Sequence, residues 1–159
     1  MTMKVLRAEI QPLKKEYKRI GFCYGVFDIL HPGHAKHLEA AKKMCDVLIV
    51  GLTSDSQVKN RRKIPGRPIL NEKFRAYLMC QLRSVDFVFI RNEDTAVGDI
   101  KRIRPDLCIK GQDYIGSKDK YLPMEVKAAK LVGGKLVFTK TGKFSKIRTT
   151  KLIDKIKKL

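Results

Sequence analysis

Short apolar runs and amphipathic stretches alternate along the chain. The apolar runs occupy residues 20–26, 47–52, 85–90, 107–110 and 136–138. Each is too short for an ordinary helix and rich in branched or aromatic residues, so each reads as a buried strand. The stretches between them carry helical periodicity. Residues 32–44 place Ala35, Leu38, Ala40 and Ala41 on one side. Residues 71–82 open on Asn71, a good helix cap, with Glu72 in the first turn. Residues 96–103 read as a helix. Residues 123–132 open on Pro123 and stop at Gly133-Gly134. Residues 149–157 form a final helix. The segment before Ile20 has room for an extra helix, which Pro12 would interrupt. Five strands alternating with helices predict an α/β fold, a Rossmann-like open and mostly parallel sheet with helices on both faces. Ligands of such sheets bind outside the carboxyl ends of the strands, near the reversal of strand order. The loops after the first, fourth and fifth strands are therefore the places to look.

Length and composition agree with this picture. A chain of 159 residues with 43% hydrophobic content suits one cored domain, residues 1–159, with 1–19 as a possible N-terminal extension. No apolar run reaches the ~20 residues of a membrane helix. Residues 1–19 lack the apolar centre of a signal peptide, so the expected location is cytoplasmic. Cys23, Cys45, Cys80 and Cys108 form no CxxC pair and suggest neither zinc nor a disulfide framework. The net charge of +19 has two readings. One is attraction to a polyanion such as nucleic acid; the other is a lysine-rich solvated surface around a site for phosphorylated substrates. The cations are spread along the chain, aromatic content is 8%, and Trp is absent, so the second reading is preferred.

The candidate chemistry follows the first strand. Gly25 allows close backbone approach, and Asp28 stands where it could hold a turn. Pro32 suits the first position of a helix, and Gly33 removes a side chain that would obstruct a phosphate. His31 and His34 flank that helix start, whose free N–H groups favour anions. Two imidazoles there could donate to phosphate oxygens, an arrangement suited to phosphoryl-type transfer. A zinc site is the competing reading of HxxH, but apart from His37 on the same helix no third ligand suggests itself. No metal-ligating residue is assigned.

Gly25-Val26-Phe27-Asp28 followed by His31-Pro32-Gly33-His34 resembles the signature of the cytidylyltransferase-like nucleotidyltransferases. Residues 46–55 resemble that family's second strand and the loop after it. Arg67-Pro68-Ile69, Glu72-Lys73-Phe74-Arg75 and the PDxxxKGxDY-like run 105–114 resemble bacterial heptose-phosphate adenylyltransferases. Thr149-Thr150 fit the family's phosphate-binding segment, with Arg148 in place of the usual Ser and Lys143 where an earlier Arg is expected.

The resemblance implies a mechanism and a set of roles. A substrate phosphate attacks the α-phosphorus of ATP or CTP and pyrophosphate leaves, with Mg²⁺ carried on the triphosphate. His31, His34 and Lys63 would be catalytic. Gly25, Val26, Phe27, Gly33, Lys110, Gly111, Asp113, Tyr114, Lys143, Ile147, Arg148, Thr149 and Thr150 would bind the nucleotide with the two histidines. Asp28, Arg61 and Arg75 would bind the acceptor. Base choice would be made near residues 110–114 and 139–148. The favoured acceptor is a sugar phosphate such as heptose 1-phosphate. Glycerol 3-phosphate, phosphoethanolamine, phosphocholine or a phosphonate with CTP comes second, and FMN third. The expected partners are these small molecules and a second copy of the chain in a homodimer, with no membrane. A non-catalytic nucleotide- or RNA-binding relative is the alternative class.

Overall fold

The computed structural model describes residues 11–16, 18–60 and 66–158. Its centre is β1 (Ile20–Gly25), where apolar side chains alternate between two faces and every strand neighbour is parallel. β2 (Val47–Thr53) pairs with one edge of β1 and β4 (Leu107–Gly111) with the other. β3 (Phe87–Arg91) and β5 (Lys135–Thr139) lie outermost, giving the order β3-β2-β1-β4-β5. The expected open parallel α/β sheet is what forms. The strand order reverses beside β1, between β1 and β4, which opens a crevice at their carboxyl ends.

A repeated device aligns the amino ends of the strands. An aspartate precedes each of β2, β3 and β4, and its carboxylate accepts a backbone N–H from a neighbour. Asp46 takes Arg19 N, Asp86 takes Leu48 N and Asp106 takes Ile20 N, each at 2.7 Å. Backbone donors that would otherwise be orphaned at the sheet's edge are thus satisfied, and the register is pinned far from the crevice.

Two cores sit on the two faces, as the period of two requires. Ile20, Phe22, Ile49 and Phe89 pack with Ile100 of α5 (Val97–Ile103) and with Ala128 and Ala129 of α6 (Leu122–Leu131). Cys23, Leu48, Val50 and Leu52 pack with Leu38 and Ala41 of α2 (Pro32–Lys42) and with Met79 of α4 (Glu72–Cys80). Ahead of them, residues 11–15 form α1, which sets Leu13 against the first core. Asn71 caps α4 as expected, its side chain accepting from Phe74 N. Gly133 ends α6 at φ +85, a left-handed conformation that glycine adopts freely.

Several boundaries and elements differ from the sequence reading. α2 stops at Lys42, because Met44 N and Cys45 N turn back to Ala41 O and Lys42 O. β3 starts at Phe87, because Val85 still closes a turn onto Leu82 O. α3 (Asp55–Asn60) is an unforeseen helix of 6 residues with no buried residue, so it left no apolar stripe to read. Short 3₁₀ turns, η1 (Gln112–Tyr114) and η2 (Gly142–Lys146), line the crevice, and α7 (Thr149–Ile156) closes the chain. Among the described residues no helix is long and apolar enough to cross a membrane.

Candidate active site at the switch point

The loop leaving β1 is held in an unusual conformation. Phe27 and Ile29 both sit at φ +49, a region that bulky residues rarely enter. Such residues cost about 1–3 kcal/mol each and persist only where surroundings over-determine them. Three restraints do so here. The Asp28 carboxylate, fully buried, accepts from Ile69 N and Leu70 N and from Arg67 Nε at 3.1 Å. The Asp28 carbonyl accepts the Thr149 hydroxyl at 2.8 Å. The Arg75 guanidinium donates to the Val26 carbonyl.

The loop delivers the chain into α2, with His31 as its N-cap and Pro32 in the first turn. The His31 carbonyl accepts from His34 N at 2.9 Å and Ala35 N at 3.2 Å. Its Nδ1 faces His34 N at 3.4 Å, so the proton of the neutral ring belongs on Nε2. The His31 and His34 rings stack, centroids 3.7 Å apart, and the Phe27 ring meets the edge of His34. His31 Nε2 and His34 Nδ1 are buried and lack a hydrogen-bond partner among the described residues. Buried polar atoms are normally paired, and leaving one unpaired costs about 1–3 kcal/mol. Two such atoms side by side at a helix start are what an incoming oxyanion would satisfy.

These rings belong to a cleft of about 340 Å³ at the carboxyl ends of β1 and β4. Of the expected residues, the wall includes Gly25, Val26, Phe27, Asp28, His31, Gly33 and His34. It also includes Lys110, Gly111, Asp113 and Tyr114 after β4, and Ile147, Arg148, Thr149 and Thr150 at the start of α7. Arg148 reaches Asp113 Oδ2 at 3.6 Å, joining the last two groups across the opening.

Other expected residues take different places. Arg75 is only 1% exposed and lies away from the wall. Its nitrogens go to Leu70 O, Val26 O, Thr53 O and Asp55 Oδ1, so it ties the β1 and β2 loops to α4 rather than meeting an acceptor. Lys143 is exposed outside the wall, its Nζ 5.7 Å from the Phe144 ring centroid. Arg61 and Lys63 fall outside the described residues. Gly33 has a reason other than phosphate clearance, since a Cβ there would lie 2.9 Å from both His31 Cε1 and Phe144 O. The missing side chain lets η2 close against α2.

Lys110 is nearly buried and pairs with Glu125 Oε2 at 2.9 Å, its Nζ 4.5 Å and 4.2 Å from the Tyr24 and Tyr114 ring centroids. The same carboxylate accepts the Tyr24 hydroxyl at 2.7 Å. The lysine charge is therefore largely matched inside the protein. Gln112, Thr139 and Phe144, from the segments expected to choose the base, also line the cleft, as do Arg67 and His37, to which the sequence reading assigned no site role. The RPI run contained Arg67, and its proximity to Asp28 needed the fold.

Burial keeps the histidines neutral. It lowers the His31 pKa, and it pushes His34 down to about 3, helped by His31, His37 and Arg67 and opposed by Asp28. A folded pKa below the unfolded value of about 6.5 means that the unfolded chain takes up the proton first. The stability linked to His34 is thus complete above pH 6.5 and is lost as pH falls towards 3. At pH 4.5 the loss is about 2–3 kcal/mol. We expect His34→Asn to show a smaller drop in urea midpoint between pH 7 and pH 4.5 than the parent. Equal drops would refute this linkage.

Comparison with known proteins agrees with this geometry. The cytidylyltransferase-like family matches residues 22–155. A bifunctional protein HldE from Sulfurimonas denitrificans is 43% identical over 155 residues, 94% of this chain and 30% of its own length. Another from Rhodopseudomonas palustris is 43% identical over 142 residues, 89% of this chain and 28% of its own. The chain thus spans under a third of the length of these relatives. The crystal structure of the lipopolysaccharide core biosynthesis protein from Thermoplasma volcanium GSS1 superposes with a TM-score of 0.66 at 31% identity. That likeness covers 79% of this chain and 98% of that one. With the family spanning nearly every described element around the cleft, the chain is a nucleotidyltransferase of the cytidylyltransferase-like family.

Proposed function

We propose that the chain transfers the adenylyl group of ATP to a sugar phosphate, with heptose 1-phosphate the favoured acceptor, and releases pyrophosphate. The observation that carries the transfer chemistry is the pair of unpartnered buried atoms, His31 Nε2 and His34 Nδ1, at the start of α2. The acceptor class rests on the HldE relatives and on likeness to a protein of lipopolysaccharide core biosynthesis, a sugar polymer.

The acceptor phosphate is already ionised at neutral pH, so its oxygen attacks the α-phosphorus without a general base. The bond from that phosphorus to the β-phosphate bridging oxygen breaks, and pyrophosphate departs. Catalysis then consists of placement and of stabilising charge on the transferring group. His31 donates from Nε2, His34 offers its second buried nitrogen, and the N-termini of α2 and α7 add oriented N–H groups. Arg67 and Arg148, both in the cleft wall, supply positive charge.

Magnesium enters as part of the nucleotide substrate, where it neutralises phosphate charge. The wall carboxylates Asp28 and Asp113 already face Arg67 and Arg148. A homodimer working in the cytoplasm completes the proposal.

The test is pyrophosphate release from ATP, CTP, GTP and UTP against sugar 1-phosphates, glycerol 3-phosphate, phosphocholine and FMN. ATP with a heptose or related sugar 1-phosphate is expected to turn over fastest. Silence across the whole matrix, with a salt-dependent RNA gel shift, would replace this reading with a nucleic-acid-binding one.

A further inference from the structure

The cleft is divided by charge. Its α2–α7 side gathers His31, His34, Arg67, Arg148 and two helix starts. Its other corner, between the ends of β4 and β5, gathers neutral polar side chains, with Asp113 the carboxylate that acts on them from the turn after β4. There Gln112, Thr139, Thr141 and Ser145 meet His37, one turn along α2 from His34. A nucleotide whose phosphates sit at His34 turns its uncharged parts, ribose and base, towards this corner.

Most polar atoms in the corner are already engaged. Gln112 donates from Nε2 to Ser145 Oγ at 2.9 Å and accepts Thr141 N at 3.0 Å. Ser145 passes its own proton to Gly142 O at 2.8 Å. Thr139 has one hydroxyl proton, directed at Lys110 O at 3.4 Å. The Thr139 oxygen also lies 2.7 Å from His37 Nδ1. With the hydroxyl proton turned to Lys110, the short contact needs a proton on Nδ1. In that arrangement His37 is the Nδ1–H tautomer and Nε2 keeps a lone pair, whereas a Thr139 proton turned to Nδ1 would leave the ring proton on Nε2. The hydrogen-bond contact of the ring is that of Nδ1 with Thr139. Burial lowers the ring's pKa and keeps the lone pair free at neutral pH.

We propose that His37 reads the nucleobase, its Nε2 accepting a hydrogen bond from an exocyclic amino group. The residue thereby favours adenine and cytosine, which carry such a group, over bases with a carbonyl in its place. Thr139 is a positioning residue that fixes the tautomer. The inference rests on the nucleotidyl-transfer reading of the cleft and adds the selection of the base.

The test compares ATP with ITP, in which a carbonyl replaces the 6-amino group, by calorimetric binding to the full chain. The parent is expected to prefer ATP by roughly 10- to 100-fold, the size of one buried hydrogen bond gained or denied. His37→Leu should bring the ratio close to one. His37→Gln, which offers a carbonyl oxygen, should restore part of it. Thr139→Val should reduce it by freeing the ring to change tautomer. Imidazole ¹⁵N spectra of the parent should show a protonated Nδ1. Equal binding of ATP and ITP by the parent overturns the proposal, as does an unchanged ratio in a folded His37→Leu. Should the leucine variant fail to fold, an unchanged ratio in both His37→Gln and Thr139→Val overturns it too. An ATP preference in binding with no pyrophosphate release would sink the transfer reading alone. Release with ATP and ITP at equal efficiency would sink the base reading alone.

Discussion

Replacing His34 by alanine is expected to lower turnover by ~10²-fold or more while the chain stays folded. His34 stacks on His31 at the first turn of α2, and its buried Nδ1 has no hydrogen-bond partner among the described residues. A hydrogen bond made by that atom gains strength as charge builds on the transferring phosphoryl group, so its loss falls mainly on kcat. The fold does not depend on the ring in the same way. His31, not His34, caps α2, and the apolar neighbour of the His34 ring is Phe27, which it meets edge-on. Truncation also removes a buried polar atom, which offsets part of the packing penalty. Near-normal pyrophosphate release by His34→Ala would remove the histidine pair from the mechanism. A loss of activity matched by a collapsed melting transition would assign the ring a structural role instead.

The parallel sheet was legible because parallel strands buried on both faces read as continuous apolar runs, and five such runs are plain in the chain. The side of the cleft between β1 and α2 was legible too, since Gly25, His31, Pro32, Gly33 and His34 lie close together in sequence and the turn of helix that starts at Pro32 sets their spacing. The far half was less so. Thr139 and His37 lie 102 positions apart and meet only because β5 ends beside α2. Asp28 stood out as a turn-holder, but its partners Arg67, Ile69 and Leu70 come from the other side of β2. The same limit applies to Lys143. It stands where a relative's cation is expected, yet η2 turns its side chain to solvent. Motif spacing places a residue on an element; only the pairing of elements says which way it faces.

Arg75 shows that limit most sharply, and Arg75→Met should separate the two readings of it. As an acceptor-binding residue it would sit at the cleft, and the variant would raise KM at little cost in stability. The structure instead buries the guanidinium among the carbonyls of Val26, Thr53 and Leu70 and the carboxylate of Asp55. Methionine fills much of the same volume but donates nothing, so several acceptors lose their donor at once. Breaking a buried, charged network from one side costs about 3–5 kcal/mol. The urea midpoint should fall accordingly with an unchanged denaturant slope. Lysine should not rescue it, because one ammonium cannot span acceptors arranged around a planar fork. Turnover should fall as well, since Val26 is one anchor of the strained loop that carries Phe27 and Asp28. An unfolding free energy within ~0.5 kcal/mol of the parent, combined with a raised KM for the acceptor, would return Arg75 to the substrate. That range is what a substitution away from buried networks normally shows.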